Sequence, residues 1–218
     1  MPSAEHGTPI LLSGGKVVMR KLSELPAQDR AEYGKQLATL QATSAELANT
    51  ACIGVTAFCS VNVDELFFAS LSVREKKVIA DTSSVRLSVG LVPIMGSKFS
   101  SLTYMGLIPD GLGDMPPWSA VSRIFKDRDA NTIQISEWDF VSDGGGVLVL
   151  EEFQNVKVGP FRGSMIKNMS STGKVVWQVS WVEMRKKVEL TLLCANGTKC
   201  VEQEAFLSLA NSLYLPLQ

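Results

Sequence analysis

Histidine occurs once, as His6. That alone narrows the chemistry open to this chain. A Ser–His or Cys–His nucleophile, or a histidine-held metal, needs an imidazole fixed in a folded site. His6 stands instead in MPSAEHGTPILLSGGK, a small, polar stretch punctuated by Gly and Pro. Paired carboxylates are the remaining route to acid–base work. Glu151 and Glu152 are adjacent, so on a strand they point to opposite faces and share no site. Asp110 and Asp114, like Asp139 and Asp143, sit in turn-forming stretches where Asp serves its own backbone. Asp127 and Asp129 alternate with Lys126 and Arg128 and read as an exposed charged loop. Gly96-Ser97-Lys98 lacks the upstream glycine of a phosphate loop, and Gly144-Gly145-Gly146 lacks the GxGxxG spacing. We read all of these as structural, and expect no catalytic residue, no cofactor and no metal.

Cys52, Cys59, Cys194 and Cys200 show no zinc-type CxxC spacing. A regular strand would put Cys52 and Cys59 on opposite faces, so a local bridge is not expected. The reading is of buried free thiols in a reducing compartment.

Two basic clusters remain: Arg74, Lys76 and Lys77, and Arg185, Lys186 and Lys187. Each falls where a hairpin turn is expected. On one end of a sandwich they would form a rim able to touch RNA phosphates. Lysines also protect sheet edges, which explains them without a partner. The total of 21 Lys+Arg against 22 Asp+Glu excludes a strongly basic, nucleic-acid-wrapping chain.

The elements that would position these groups are mostly strands. In Lys174–Cys194, Val175, Trp177, Val179 and Trp181 alternate with Val176, Gln178, Ser180 and Val182. Val188, Leu190, Leu192 and Cys194 repeat the period after a charged break at Glu183–Lys187. This predicts a hairpin with a loop of about three to five residues, since no Asn-Gly or Asp-Gly is present. The two tryptophans need a covering sheet or helix. Further strands are expected at Ile53–Val63, Phe67–Val73, Val85–Leu91, Leu102–Ile108, Thr132–Phe140, Val147–Phe153, Val156–Val158 and Phe161–Ile166. The near-continuous apolar run of Val147–Phe153 suits a strand buried on both faces. Ser119–Phe125 reads as a short helix.

Tyr33, Leu37, Leu40 and Leu47 at helical spacing predict a helix over about 26–48. Phe206, Leu209 and Leu213 predict an amphipathic segment over 202–218. The domain plan is thus a mobile arm over 1–16 and one β-rich domain over 17–218. The fold class is mainly β: an antiparallel two-layer sandwich, jelly-roll-like, or a barrel, with an N-terminal helix and short helical inserts.

No apolar run reaches the roughly 18 residues of a membrane span, and no secretory leader is read at the N-terminus. The sequons at Asn168 and Asn196 are therefore expected to carry no glycan, and the chain is placed inside the cell, or in a virion.

The order of these segments between about 50 and 195 resembles the single jelly-roll coat proteins of small plant RNA viruses, and the jelly-roll-like movement proteins of plant viruses. The resemblance implies a structural, self-assembling protein rather than an enzyme. It departs in one respect: residues 1–16 hold only Lys16 and His6, not a basic RNA-neutralising arm. Self-association would use sheet edges or faces and the terminal side chains Phe206, Leu209, Leu213 and Tyr214. The alternatives are an intracellular β-barrel holding an apolar molecule against Trp177 and Trp181, or a nucleic-acid-binding module acting through the basic turns.

Overall fold

The computed structural model describes residues 10–13, 16–47, 57–60, 67, 69, 78–79, 82–111, 115–195 and 200–214. Along them run β1 (Ile10–Ser13), β2 (Val17–Arg20), α1 (Ala27–Leu47), β3 (Phe58–Ser60), β4 (Thr103–Asp110), β5 (Ala120–Lys126), β6 (Thr132–Trp138), β7 (Gly145–Leu150), β8 (Val156–Val158), β9 (Phe161–Met169), β10 (Val175–Glu183), β11 (Lys186–Leu193) and α2 (Gln203–Asn211). The class is mainly β, as the alternation required, and among the described residues no sheet closes into a barrel. The larger sheet has the order β3-β9-β10-β11-β6-β5-β4, with β8 also on β9. The smaller has β7 between β1 and β2.

Register aligns the inward side chains of the larger sheet in rows. Trp177, Leu192, Ile133 and Phe125 form one row, and Val179, Leu190, Ile135 and Arg123 the next. Trp181, Val188, Glu137 and Val121 form the third. The cover that the tryptophans demand is α2. Phe206 packs on Trp177 with ring centroids 6.2 Å apart, and Tyr214 packs edge-on to Trp181 at 6.1 Å. Both indoles find acceptors or partners at the rim of this contact, Trp177 Nε1 on the Val201 carbonyl at 3.0 Å and Trp181 Nε1 on the Tyr214 hydroxyl at 2.7 Å.

β7 is buried on both faces. Val147 and Val149 meet Phe140 with Trp138 and Val182, on the outer side of the larger sheet. Leu148 and Leu150 meet Leu37 and Leu40 of α1. β7 thus lies between the larger sheet and α1 in a sandwich-like arrangement, but the sheets are mixed rather than wholly antiparallel: β2 runs parallel to β7 and β3 parallel to β9.

Several local expectations are corrected. Residues 119–125 are not a helix but lie mostly in β5, because Val121, Arg123 and Phe125 alternate inward against β6. Val85–Leu91 is not a ladder strand; among the described residues its one β pairing is an isolated bridge from Leu87 to Trp118. Phe67 and Ala69 are helical rather than extended, and the rest of that expected strand lies outside the described residues. Of Ile53–Val63, Phe58–Ser60 form β3; residues 53–56 and 61–63 lie outside the description. The link between β10 and β11 is tighter than expected. Glu183 pairs Lys186, leaving only Met184 and Arg185 in the turn, with Met184 left-handed at φ 39°. Part of the expected mobile arm is β1, antiparallel to β7. Pro109 does not end β4: it pairs Val121 on the outer strand, where its missing N–H is tolerated.

The cysteines are also corrected. Cys194 and Cys200 form a disulfide with Cα atoms 5.3 Å apart, inside the usual span of such bridges. Cys59 is disulfide-bonded too, to a partner outside the described residues. The return of the chain from β11 toward α2 brings Cys200 back beside Cys194, which spacing alone did not reveal.

Candidate functional site

Two charged residues occupy inward register positions that alternation reserves for apolar side chains. Arg123 lies between Val121 and Phe125 on β5, and Glu137 follows Ile133 and Ile135 on β6. Their side chains are 5% and 0% exposed. Arg123 Nη2 donates to Glu137 Oε2 at 2.7 Å. Lys186, from the start of β11, donates to Glu137 Oε1 at 3.1 Å and stands 3.5 Å from Glu183 Oε2. Two cations therefore meet two carboxylates, which is what makes burial of the group tolerable.

The same charges hold a backbone strap over the sheet. The Val92 N–H donates to Glu137 Oε1 at 2.5 Å, Arg123 Nη2 donates to the Val92 carbonyl at 2.9 Å, and Lys186 Nζ donates to the Gly90 carbonyl at 2.7 Å. Between these ties Val89 sits against Leu107 and Val121, and Val92 enters the main core. With no ladder to satisfy its polar backbone, the strap uses side-chain charges in place of a neighbouring strand. Glu137 accepts from three donors at once. Its lone pairs are committed to holding the strap.

The network continues through Glu183, which accepts hydrogen bonds from Trp181 Nε1 and the Tyr214 hydroxyl. The charged end and the tryptophan end are thus joined by one residue. Arg123 also faces Tyr104, whose phenol is raised above its usual range by burial while the guanidinium pulls the other way.

The basic residues expected to form a rim are placed as follows. Arg185 pairs with Asp139 at 2.9 Å, Lys186 is in the cluster above, and Lys187 pairs with Glu189 at 3.1 Å. Each of these three cations is matched to a carboxylate of its own chain, so the β10–β11 turn is not a bare basic patch. Arg74, Lys76 and Lys77 lie outside the described residues, and no described contact brings the two clusters together.

Comparison with protein-family models, with curated proteins and with solved structures finds no match for the chain. The reading of the site therefore rests on its own geometry.

The terminal side chains expected to face a neighbouring subunit are used internally. Phe206 and Leu213 belong to the main core, and Leu209 and Tyr214 pack against it half-buried. The physical reason is the tryptophan face, which takes the apolar side of α2 for itself. That same filling leaves Trp177 and Trp181 covered by protein rather than lining an apolar cavity.

Several of the carboxylates read as structural have structural partners. Glu152 accepts the Leu22 N–H through both oxygens, Asp127 caps the turn to Asn131, and Asp143 accepts from Trp138 Nε1. Burial pushes the Asp139 carboxyl up, but the Arg185 and Ser142 hydrogen bonds outweigh it and hold the group below its ordinary 3.8. Lys167, 5.2 Å above the Trp177 ring, is lowered from 10.5 by burial, with Glu202 pulling it back. Among the described residues no cluster of His, Cys, Asp or Glu could hold a metal, and no helix is long and apolar enough to cross a membrane. Arg123 and Glu137 were missed in the sequence. Their signal was present as a charge at an inward position of two otherwise apolar alternations.

Proposed function

We propose that the chain is a non-catalytic structural protein that works by self-association, with the exposed end of β4 as its contact. The observation that carries this is the state of that strand. β4 is the last strand of the larger sheet, and Thr103, Tyr104 and Met105 at its start are all exposed. An edge strand presents unpaired N–H and C=O groups that template pairing with another chain. The far half of β4 is protected. A register shift falls between Tyr104 and Gly106, Ile79 bridges Leu107, and Pro109 removes a donor. The near half carries two large apolar side chains, Tyr104 at 43% and Met105 at 41% exposed, and no described strand beyond it. A second copy related by a two-fold axis would continue the sheet there.

The engaged charges support the non-catalytic part of this reading: the side chains best suited to acid–base work are holding the strap and the turns. A coat-type or movement-type protein of a small plant virus is the particular form of this proposal that the order of segments in the sequence suggests, and electron microscopy of concentrated protein for regular particles distinguishes it from a simple dimer.

The test of the contact is light scattering on a sizing column over a range of concentrations. The parent chain is expected to exceed monomer mass. Tyr104→Lys with Met105→Lys is expected to weaken association about tenfold or more by placing like charges across the axis. A parent chain that stays monomeric at every concentration would sink the proposal.

A further inference from the structure

We propose that this protein is folded in an oxidising compartment as a substrate of thiol-oxidising catalysts, and that the Cys194–Cys200 bridge is the staple that seats α2 on the tryptophan face. Three of its four cysteines lie among the described residues, and all three are disulfide-bonded. Bridges of this kind persist where thiols are oxidised and are lost to reducing pools in a cytosol. The proposal stands apart from the β4 contact, and it replaces the reducing compartment expected from the sequence.

The position of the bridge gives it a role. Cys194 closes β11, where its N–H donates to the Val175 carbonyl at 3.2 Å. Cys200 sits one residue before Val201, whose carbonyl receives Trp177 Nε1, and three before the start of α2. The bridge therefore fixes the entry of α2 directly over the face it must cover. Phe206 and Ala210, both fully buried, and Leu213 follow from that entry. Beyond it the helix is held by few polar ties, among them Gly159 N–H to Asn211 at 2.7 Å and Lys98 N–H to Ser212 Oγ at 3.1 Å.

The chemistry is thiol–disulfide exchange. A thiolate of one cysteine attacks the disulfide of an oxidising partner protein, and the second thiolate resolves the mixed disulfide. The two cysteines lose two protons and two electrons, and the partner leaves as a dithiol. Oxidation also reopens the sequons to modification. Asn168 is excluded on other grounds, being fully buried with its amide donating to Gln178 at 2.6 Å.

The full chain, produced in an oxidising compartment and alkylated with iodoacetamide without reductant, is expected to yield one cross-linked peptide holding Cys194 and Cys200, both unalkylated. Recovery of both as alkylated thiols would overturn the proposal. Cys194→Ser with Cys200→Ser is expected to release the segment after residue 195 to protease about tenfold faster or more, as loss of a short-loop bridge implies. An unchanged rate would overturn the staple. If that variant does not fold, hydrogen exchange on the parent replaces it: mild reductant must speed exchange in α2 before the β6–β11 ladder, and uniform acceleration would count against the staple.

Discussion

The inward face of the larger sheet is covered in two different ways. At the tryptophan end α2 lays Phe206 on Trp177, and the 3-10 turn that follows it brings Tyr214 onto Trp181. At the charged end an irregular strap is tied to Arg123, Glu137 and Lys186. The first cover depends on area removed from water, which is non-directional and tolerant of small shifts. The second depends on hydrogen bonds to ions, whose value collapses if one partner goes. The same sheet therefore carries one end that fails gradually and one that fails as a unit.

The largest expected effect breaks the first end. Phe206→Ala removes a fully buried ring from Trp177 and is expected to cost about 3–5 kcal/mol, the usual range for such truncations. Urea denaturation measures it. Phe206→Leu, which keeps most of the volume, is expected to recover more than half. An equal loss in both variants would show that the ring contact, not the filled space, holds α2.

The charged end responds differently. Glu137→Gln keeps shape but removes the charge facing Arg123 and Lys186, and is expected to cost roughly 3 kcal/mol. No conservative swap should recover it, whereas Arg123→Met with Glu137→Leu, which removes the buried pair together, is expected to restore part of the loss. Hydrogen exchange at the Val92 amide reads the strap directly. If Val92 stays protected in Glu137→Gln, the ions do not hold it.

This contrast also explains what was legible in the sequence. The β10–β11 ribbon and α1 were readable because their apolar periods match their geometry. β5 was misread as a helix because a single Arg123 interrupts the inward alternation of Val121 and Phe125, and no local rule says that its partner is Glu137, fourteen residues on. The strap looked like a strand because Val85, Leu87 and Val89 alternate, yet it has one bridge, to the Trp118 backbone, and its ties at Gly90 and Val92 go to side chains of β5, β6 and β11. Cys194–Cys200 escaped because the bridge depends on how the chain turns after β11. Long-range pairings of this kind decide the charged end and leave little local trace.

The smallest effect sharpens the comparison by moving a charge pair into solvent. Asp139 and Arg185 resemble Glu137 and Arg123 in chemistry, but the Arg185 side chain is 60% exposed. Screening limits such a pair, so Arg185→Ala is expected to cost only about 1 kcal/mol at neutral pH. The Asp139 carboxyl is held below its ordinary 3.8 in the folded chain. A depressed carboxylate stabilises the fold above its unfolded value, and that contribution is lost as pH falls through the folded value. The parent and Arg185→Ala stability curves should therefore differ at pH 7 and converge below 3.8. Carbon-13 titration of Asp139 should show its pKa rising in the variant. Curves that run parallel into acid would mean that Ser142 and the backbone, not Arg185, keep Asp139 ionised.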